Sequence, residues 1–261
     1  MNSKQAETWL AILYTGSMVL SVTSIVSFVT AWQHWTWTLD GCIDVDCGCI
    51  LYGINTFHTF LGGDVKLCHF ACYGLAPVAV IALCLGAHHG YRCCIHKNLD
   101  EPKRIIHAQT YDDDRKNLNG QVVVRVKKRV AFKWWMPVGF LAAFVCCLSL
   151  AHAVVITDGY YKTCEQYKRN LIQDLGSRGR EIQVIHNRLP CGAIFDFMDY
   201  IKPDTNYWVR GSEIHTGIAL QLAITTSWLN FFVWLTACSI NFIMARKRQR
   251  NLGEKSCCCC C

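Results

Sequence analysis

Deep inside its four long apolar runs this 261-residue chain has no Asp, Glu, Lys or Arg. Charge within a membrane is tolerated mainly where it serves transport, proton transfer or catalysis. Its lack argues against a pump, a transporter or an intramembrane enzyme. Phosphate-binding loops, nucleophile elbows and H-E-x-x-H are missing too, and with them the signatures of nucleotide hydrolysis, hydrolase chemistry and zinc proteolysis. The loops contain no C-x-x-C, as a thiol-redox enzyme would require, and no N-x-[ST] acceptor for N-glycosylation. A non-enzymatic protein with no cofactor and no metal is expected.

What is present is hydrophobic: 52% of residues, too many for an ordinary soluble domain. An all-α membrane protein of four transmembrane helices with two disulfide-bearing extracellular loops is expected. Residues 1–8 form a cytoplasmic N-terminus and 9–32 the first span, followed by an extracellular loop over 33–66 and the second span over 67–91. A cytoplasmic loop covers 92–133, the third span 134–156, a second extracellular loop 157–213, the fourth span 214–244, and a cytoplasmic tail 245–261. Each run reaches the roughly 20 residues that a hydrocarbon core of about 30 Å requires at about 1.5 Å per residue. The first is too long for the apolar part of a cleaved signal peptide. Trp32, Trp35 and Trp37 form an interfacial belt. Pro77 is expected to kink the second span, since it lacks a backbone donor. In the 92–133 segment, QVVVRVKKRV reads as a short strand or a frayed helix start.

Orientation follows from the basic residues. The net charge of +7 is concentrated beside the apolar runs, a pattern that suits phospholipid headgroups rather than nucleic acid. Lys127, Lys128 and Arg129 precede the third run, and Arg246, Lys247, Arg248 and Arg250 follow the fourth. Lys66 is the only basic residue between the first two runs. By the positive-inside rule both termini are cytoplasmic and the two cysteine-bearing loops face outward.

The 18 cysteines have several different explanations. Cys42, Cys47, Cys49 and Cys68 in or beside the first loop, with Cys164 and Cys191 in the second, are disulfide candidates in an oxidising compartment. Cys164 is expected to pair with Cys191, the others sharing bridges among themselves, and cross-loop pairing is the alternative. Metal binding by Cys47 and Cys49 with Asp44 and Asp46 is disfavoured, because zinc sites use wider spacing and a matched second pair. Cys93, Cys94, Cys257, Cys258, Cys259, Cys260 and Cys261 lie on the reducing side, next to membrane or basic sequence, as acceptors of S-palmitoylation do. Cys72 reads as a small packing residue.

Polar residues inside the runs are few enough to weigh singly. Ser17, Ser21 and Ser24 recur at helical spacing: either a neighbouring helix approaches along them, or they bond their own backbone. His152 reads as a hydrogen-bonded structural residue, and the adjacent His88 and His89 as interfacial. Gln221, Thr225 and the TTSWLNFFVW segment suit interhelical hydrogen bonds, with a pore lining as the weaker alternative.

CGCILYG after the first run, a cysteine opening the second, the cysteine pair of the second outer loop and SWLNFFVW in the fourth together resemble the transmembrane protein 179 family. That resemblance implies four spans with both ends in the cytoplasm. The layout and the ILYG loop also resemble the arthropod four-span Pasiflora proteins, which implies a place in septate junctions and in paracellular barrier formation. The claudin W-GLW-C-C signature is not matched, since the tryptophans precede the loop. The expected function is a structural or assembly component of a plasma-membrane cell–cell junction, binding lipid and other membrane proteins, with self-association compatible. An auxiliary or trafficking subunit of an ion channel or receptor is the alternative.

Overall fold

In the computed structural model the chain is described over residues 3–38, 48–55, 60–94, 103–104, 124–125, 134–174, 176, 179–198 and 214–258. Helix α1 runs Ser3–Thr38, and strands β1 (Cys49–Asn55) and β2 (Phe60–Gly63) form an antiparallel pair. Helices α2 (Val65–Tyr73) and α3 (Ala76–Cys94) follow. The short strands β3 (Lys103–Arg104) and β4 (Val124–Arg125) also pair antiparallel, so part of the QVVVRVKKRV segment is strand. The remainder is α4 (Trp135–Asp174), α5 (Arg180–Arg188), α6 (Cys191–Met198) and α7 (Thr216–Cys258).

Four helical stretches are long and apolar enough to cross a membrane: Lys4–Thr36, Val65–Cys94, Trp135–Gln173 and Thr216–Arg250. The protein is a four-span membrane protein. Its spanning helices turn apolar side chains outward, among them Val19, Val22, Phe140, Phe144, Ile218 and Phe232, as a lipid-facing surface requires.

Burial along α1 follows a seven-residue repeat, with Leu10, Tyr14, Ser17, Ser21, Ser24, Phe28, Ala31 and Trp35 all buried. On α7 the same alternation of four and three runs through Leu220, Ala223, Ser227, Asn230, Trp234, Ala237 and Asn241. A repeat of this period keeps one seam of each helix on its neighbour and is that of left-handed supercoils. Ser17 meets Asn230 and Ser24 meets Ala223, so α1 and α7 are antiparallel. Helix α3 packs on the free flank of α1, and α4 on that of α7. The buried apolar residues form two clusters. One lies at the end that carries the disulfides and contains Phe28, Trp35, Ile50, Ile156 and Phe195. The other, toward the chain termini, contains Leu10, Tyr14, Val78, Trp135 and Trp234. Serines, Asn230 and His152 occupy the gap between them.

Several expected boundaries move. The second span is interrupted rather than only kinked: α2 ends at Tyr73 and α3 begins at Ala76. The ring of Pro77 would clash with the carbonyl four residues back, which is that of Tyr73, and the Pro itself falls in the first turn of α3, where a missing donor is tolerated. Helix α1 continues beyond residue 32 to Thr38. The third helix does not end near residue 156; it continues through what reads as polar loop to Asp174. The pairs Asp158 with Lys162 and Glu165 with Arg169, each four residues apart, support its outer face. Tyr160, Thr163, Cys164 and Tyr167 continue its buried face.

Candidate functional site: a disulfide-clamped cap over a buried polar layer

At the disulfide end the projecting part of α4 becomes a post on which the first loop is fastened. In β1 the register passes from Cys49 opposite Gly63 to Ile54 opposite Leu61, so the strand bulges between them. Tyr52 on this bulge has φ of 59°, in the left-handed region that a bulky residue rarely adopts. Its surroundings hold it there. The Tyr52 hydroxyl donates to Asp158 Oδ2 at 2.8 Å, and Lys162 Nζ lies 5.3 Å from the ring centroid. Burial, together with the adjacent carboxylate that accepts its hydrogen bond, pushes the phenol up to about 12, so it remains a donor at neutral pH.

Thr163 pins the backbone beside it. Gly53 N–H donates to Thr163 Oγ1 at 3.1 Å, and the hydroxyl faces the carbonyls of Ile50 at 3.1 Å and Gly159 at 3.0 Å. Gly159 makes the approach possible, since a Cβ there would lie 2.8 Å from both Leu51 Cβ and Tyr52 Cε2. Between hairpin and post lies a groove of about 320 Å³, lined by Tyr52, Ile54, Lys162, Glu165, Gln166 and Arg169.

Two disulfides clamp this assembly. Cys49 is bonded to Cys68, joining β1 to the first turn of α2. Cys164 is bonded to Cys191, joining the post to α6. Phe195 of α6 stacks on Tyr160 at 4.8 Å, and Asp196 Oδ1 accepts from Gly217 N–H at 3.0 Å at the start of α7. The cap is thereby continuous with the bundle. Cys42 and Cys47 lie outside the described residues.

Below the cap, His152 of α4 joins three elements. Its Nε2 lies 2.8 Å from the Ala71 carbonyl, which only accepts, so the proton is on Nε2. In the neutral ring Nδ1 then accepts from Ser227 Oγ at 2.9 Å. Ser227 is 3.1 Å from Ser24 Oγ, which also donates to Ala223 O. Ser17 donates to Asn230 Oδ1 at 2.7 Å, and Asn241 Nδ2 to the Tyr14 hydroxyl at 2.9 Å. The hydroxyls of Ser17 and Ser24 thus serve a neighbouring helix. Trp228 Nε1 donates to Thr157 and Gln221 Nε2 to Tyr160, whereas Thr225 bonds its own helix at the Gln221 carbonyl.

At the opposite end, Glu7 is fully buried and paired with Arg92 at 3.0 Å. His89 is fully buried and stacked on Tyr14. Both continue the buried faces of their helices, a periodicity that runs past the ends of the apolar runs. Cys93 is half-buried with its Sγ 3.7 Å from Thr8 Oγ1, while Cys94 is exposed. Cys72 is buried and unbonded. Arg246, Lys247, Arg248 and Arg250 lie on α7, whose backbone continues to Cys258 and so includes Cys257. Lys127, Lys128, Arg129, Cys259, Cys260 and Cys261 lie outside the described residues. Compared with protein-family models, with curated proteins and with solved structures, the chain matches none of them.

Proposed function

We propose that this four-span protein is a non-enzymatic assembly component of a septate-type cell–cell junction in the plasma membrane. In this reading the cap faces out of the cell and binds other membrane proteins, and both termini are cytoplasmic. The observation that carries the reading is the cap itself: a hairpin held by Thr163 and Tyr52 on a helical post, with disulfides on both sides. Such rigidity lowers the entropic cost of docking a partner. Disulfides persist in oxidising compartments, and both occur at one end of the bundle, which supports an outward cap. Basic residues at the other end, Arg246, Lys247, Arg248 and Arg250, support a cytoplasmic face there. The resemblance of the layout and the ILYG loop to the arthropod Pasiflora proteins favours the junction in particular.

Depletion of the protein from an epithelium or glial sheath tests it through dye exclusion, with junction markers imaged in the same tissue. Leakage with displaced markers is expected. An intact barrier with correctly placed markers would refute the junction role and turn attention to partners of the channel or receptor class.

A further inference from the structure

We propose that Ser21, Ser149 and Asn230 bind water at the centre of the helical bundle. The three side chains belong to one layer. Ser24, Ser227 and His152 are already joined across α1, α7 and α4. Three residues from each, toward the end that carries the chain termini, stand Ser21 on α1, Asn230 on α7 and Ser149 on α4. Helices α1 and α4 run toward the disulfide end and α7 runs away from it, so this step is the same height on all three, about 4.5 Å. Residues three apart share a helix face. The second layer therefore points into the same interior as the first.

Its polar atoms are unmet by protein. Ser21 Oγ, Ser149 Oγ and the Asn230 amide nitrogen have no hydrogen-bond partner among the described residues, and all three side chains are at most 1% exposed. Asn230 Oδ1 is occupied by Ser17, and both His152 nitrogens are engaged in the layer above. Inside a membrane-spanning bundle no bulk solvent reaches such groups, and leaving them dry is costly. Two hydroxyls that both donate and accept, with an amide that donates, match the two to four partners a buried water takes. The ligand is neutral, because the layer contributes hydroxyl and amide groups and no carboxylate to offset a cation. The next turn of α7 adds another unmet donor, Trp234 Nε1, so the hydrated layer extends beside that indole.

Radiolytic footprinting of the full chain in lipid nanodiscs reads this directly, since hydroxyl radicals formed from bound water oxidise the adjacent side chain. Trp234, fully buried, is expected to be oxidised in the folded protein. The Trp234 label is expected to be lost in Asn230→Leu and in the milder double variant Ser21→Ala/Ser149→Ala. A Trp234 left unoxidised in the folded wild-type chain would overturn the proposal and favour hydroxyls turned back on their own carbonyls. A label that persists undiminished in the folded double variant would overturn it as well.

Discussion

Replacing Thr163 with Val keeps the shape of the side chain and removes one hydroxyl. That hydroxyl accepts from Gly53 N–H and faces the Ile50 carbonyl, and Gly53, Ile50 and Thr163 are all buried. The substitution therefore leaves one donor and one acceptor of β1 without partners. At about 1–3 kcal/mol for each of two unsatisfied buried groups, the hairpin should lose about 2–6 kcal/mol of its hold on α4. In local opening that is about 30-fold to about 20,000-fold, at about 1.4 kcal/mol per factor of ten. Amide hydrogen exchange in nanodiscs measures it. Peptides covering Cys49–Asn55 should exchange faster by that factor in Thr163→Val, while Thr163→Ser, which keeps the hydroxyl, should remain near wild type. Equal exchange in wild type and Thr163→Val would show that the hairpin is held by something other than Thr163, and the reasoning about the cap would fail.

Breaking the second disulfide with Cys164→Ser releases a closure of 27 residues, and the chain-entropy relation puts the loss at about 3.5 kcal/mol; thermal unfolding in detergent should show a lower midpoint, and no change would mean that α6 is held without it. Gly159→Val drives a branched side chain into Leu51 and Tyr52, costing about 1–3 kcal/mol, and limited proteolysis should then cut the hairpin more readily. The contribution of Tyr52 depends on pH with a definite sign. A folded phenol raised from 10.0 to about 12 gives stability that is complete below the ordinary value and is lost as pH rises through the folded one, so the cap should be insensitive to pH across the neutral range and loosen only in strong alkali. Of the paired thiols at the end of α3, exposed Cys94 should take up palmitate while Cys93, packed at Thr8, does not; labelling lost in Cys93→Ser but retained in Cys94→Ser would reverse that assignment.

Much of the architecture is legible in the sequence because its causes are local. A bilayer needs an apolar run of a certain length, and four such runs are present whatever surrounds them. The interruption near Pro77 is local as well, a clash within one helical turn. Helix α4 beyond residue 156 shows where polarity alone misleads: its charges pair along one face while Tyr160, Thr163, Cys164 and Tyr167 keep the other buried, and only the repeat separates this pattern from a loop.

Other features were undecidable from sequence because they depend on which helix lies opposite. Ser17, Ser21 and Ser24 read equally well as groups bonded to their own backbone until α7 is brought alongside with Asn230 and Ser227. Nothing in the neighbourhood of Cys49 selects Cys68 over Cys42 or Cys47; the pairing depends on where β1 and α2 are held. The docking of Tyr52 and Thr163 joins residues more than a hundred positions apart. Length, polarity and period belong to the chain itself, and they determined a four-span bundle. Which polar atoms meet, and which in the layer of Ser21, Ser149 and Asn230 do not, was decided by tertiary packing, because a hydrogen bond depends on distances that arise only when separate helices come together.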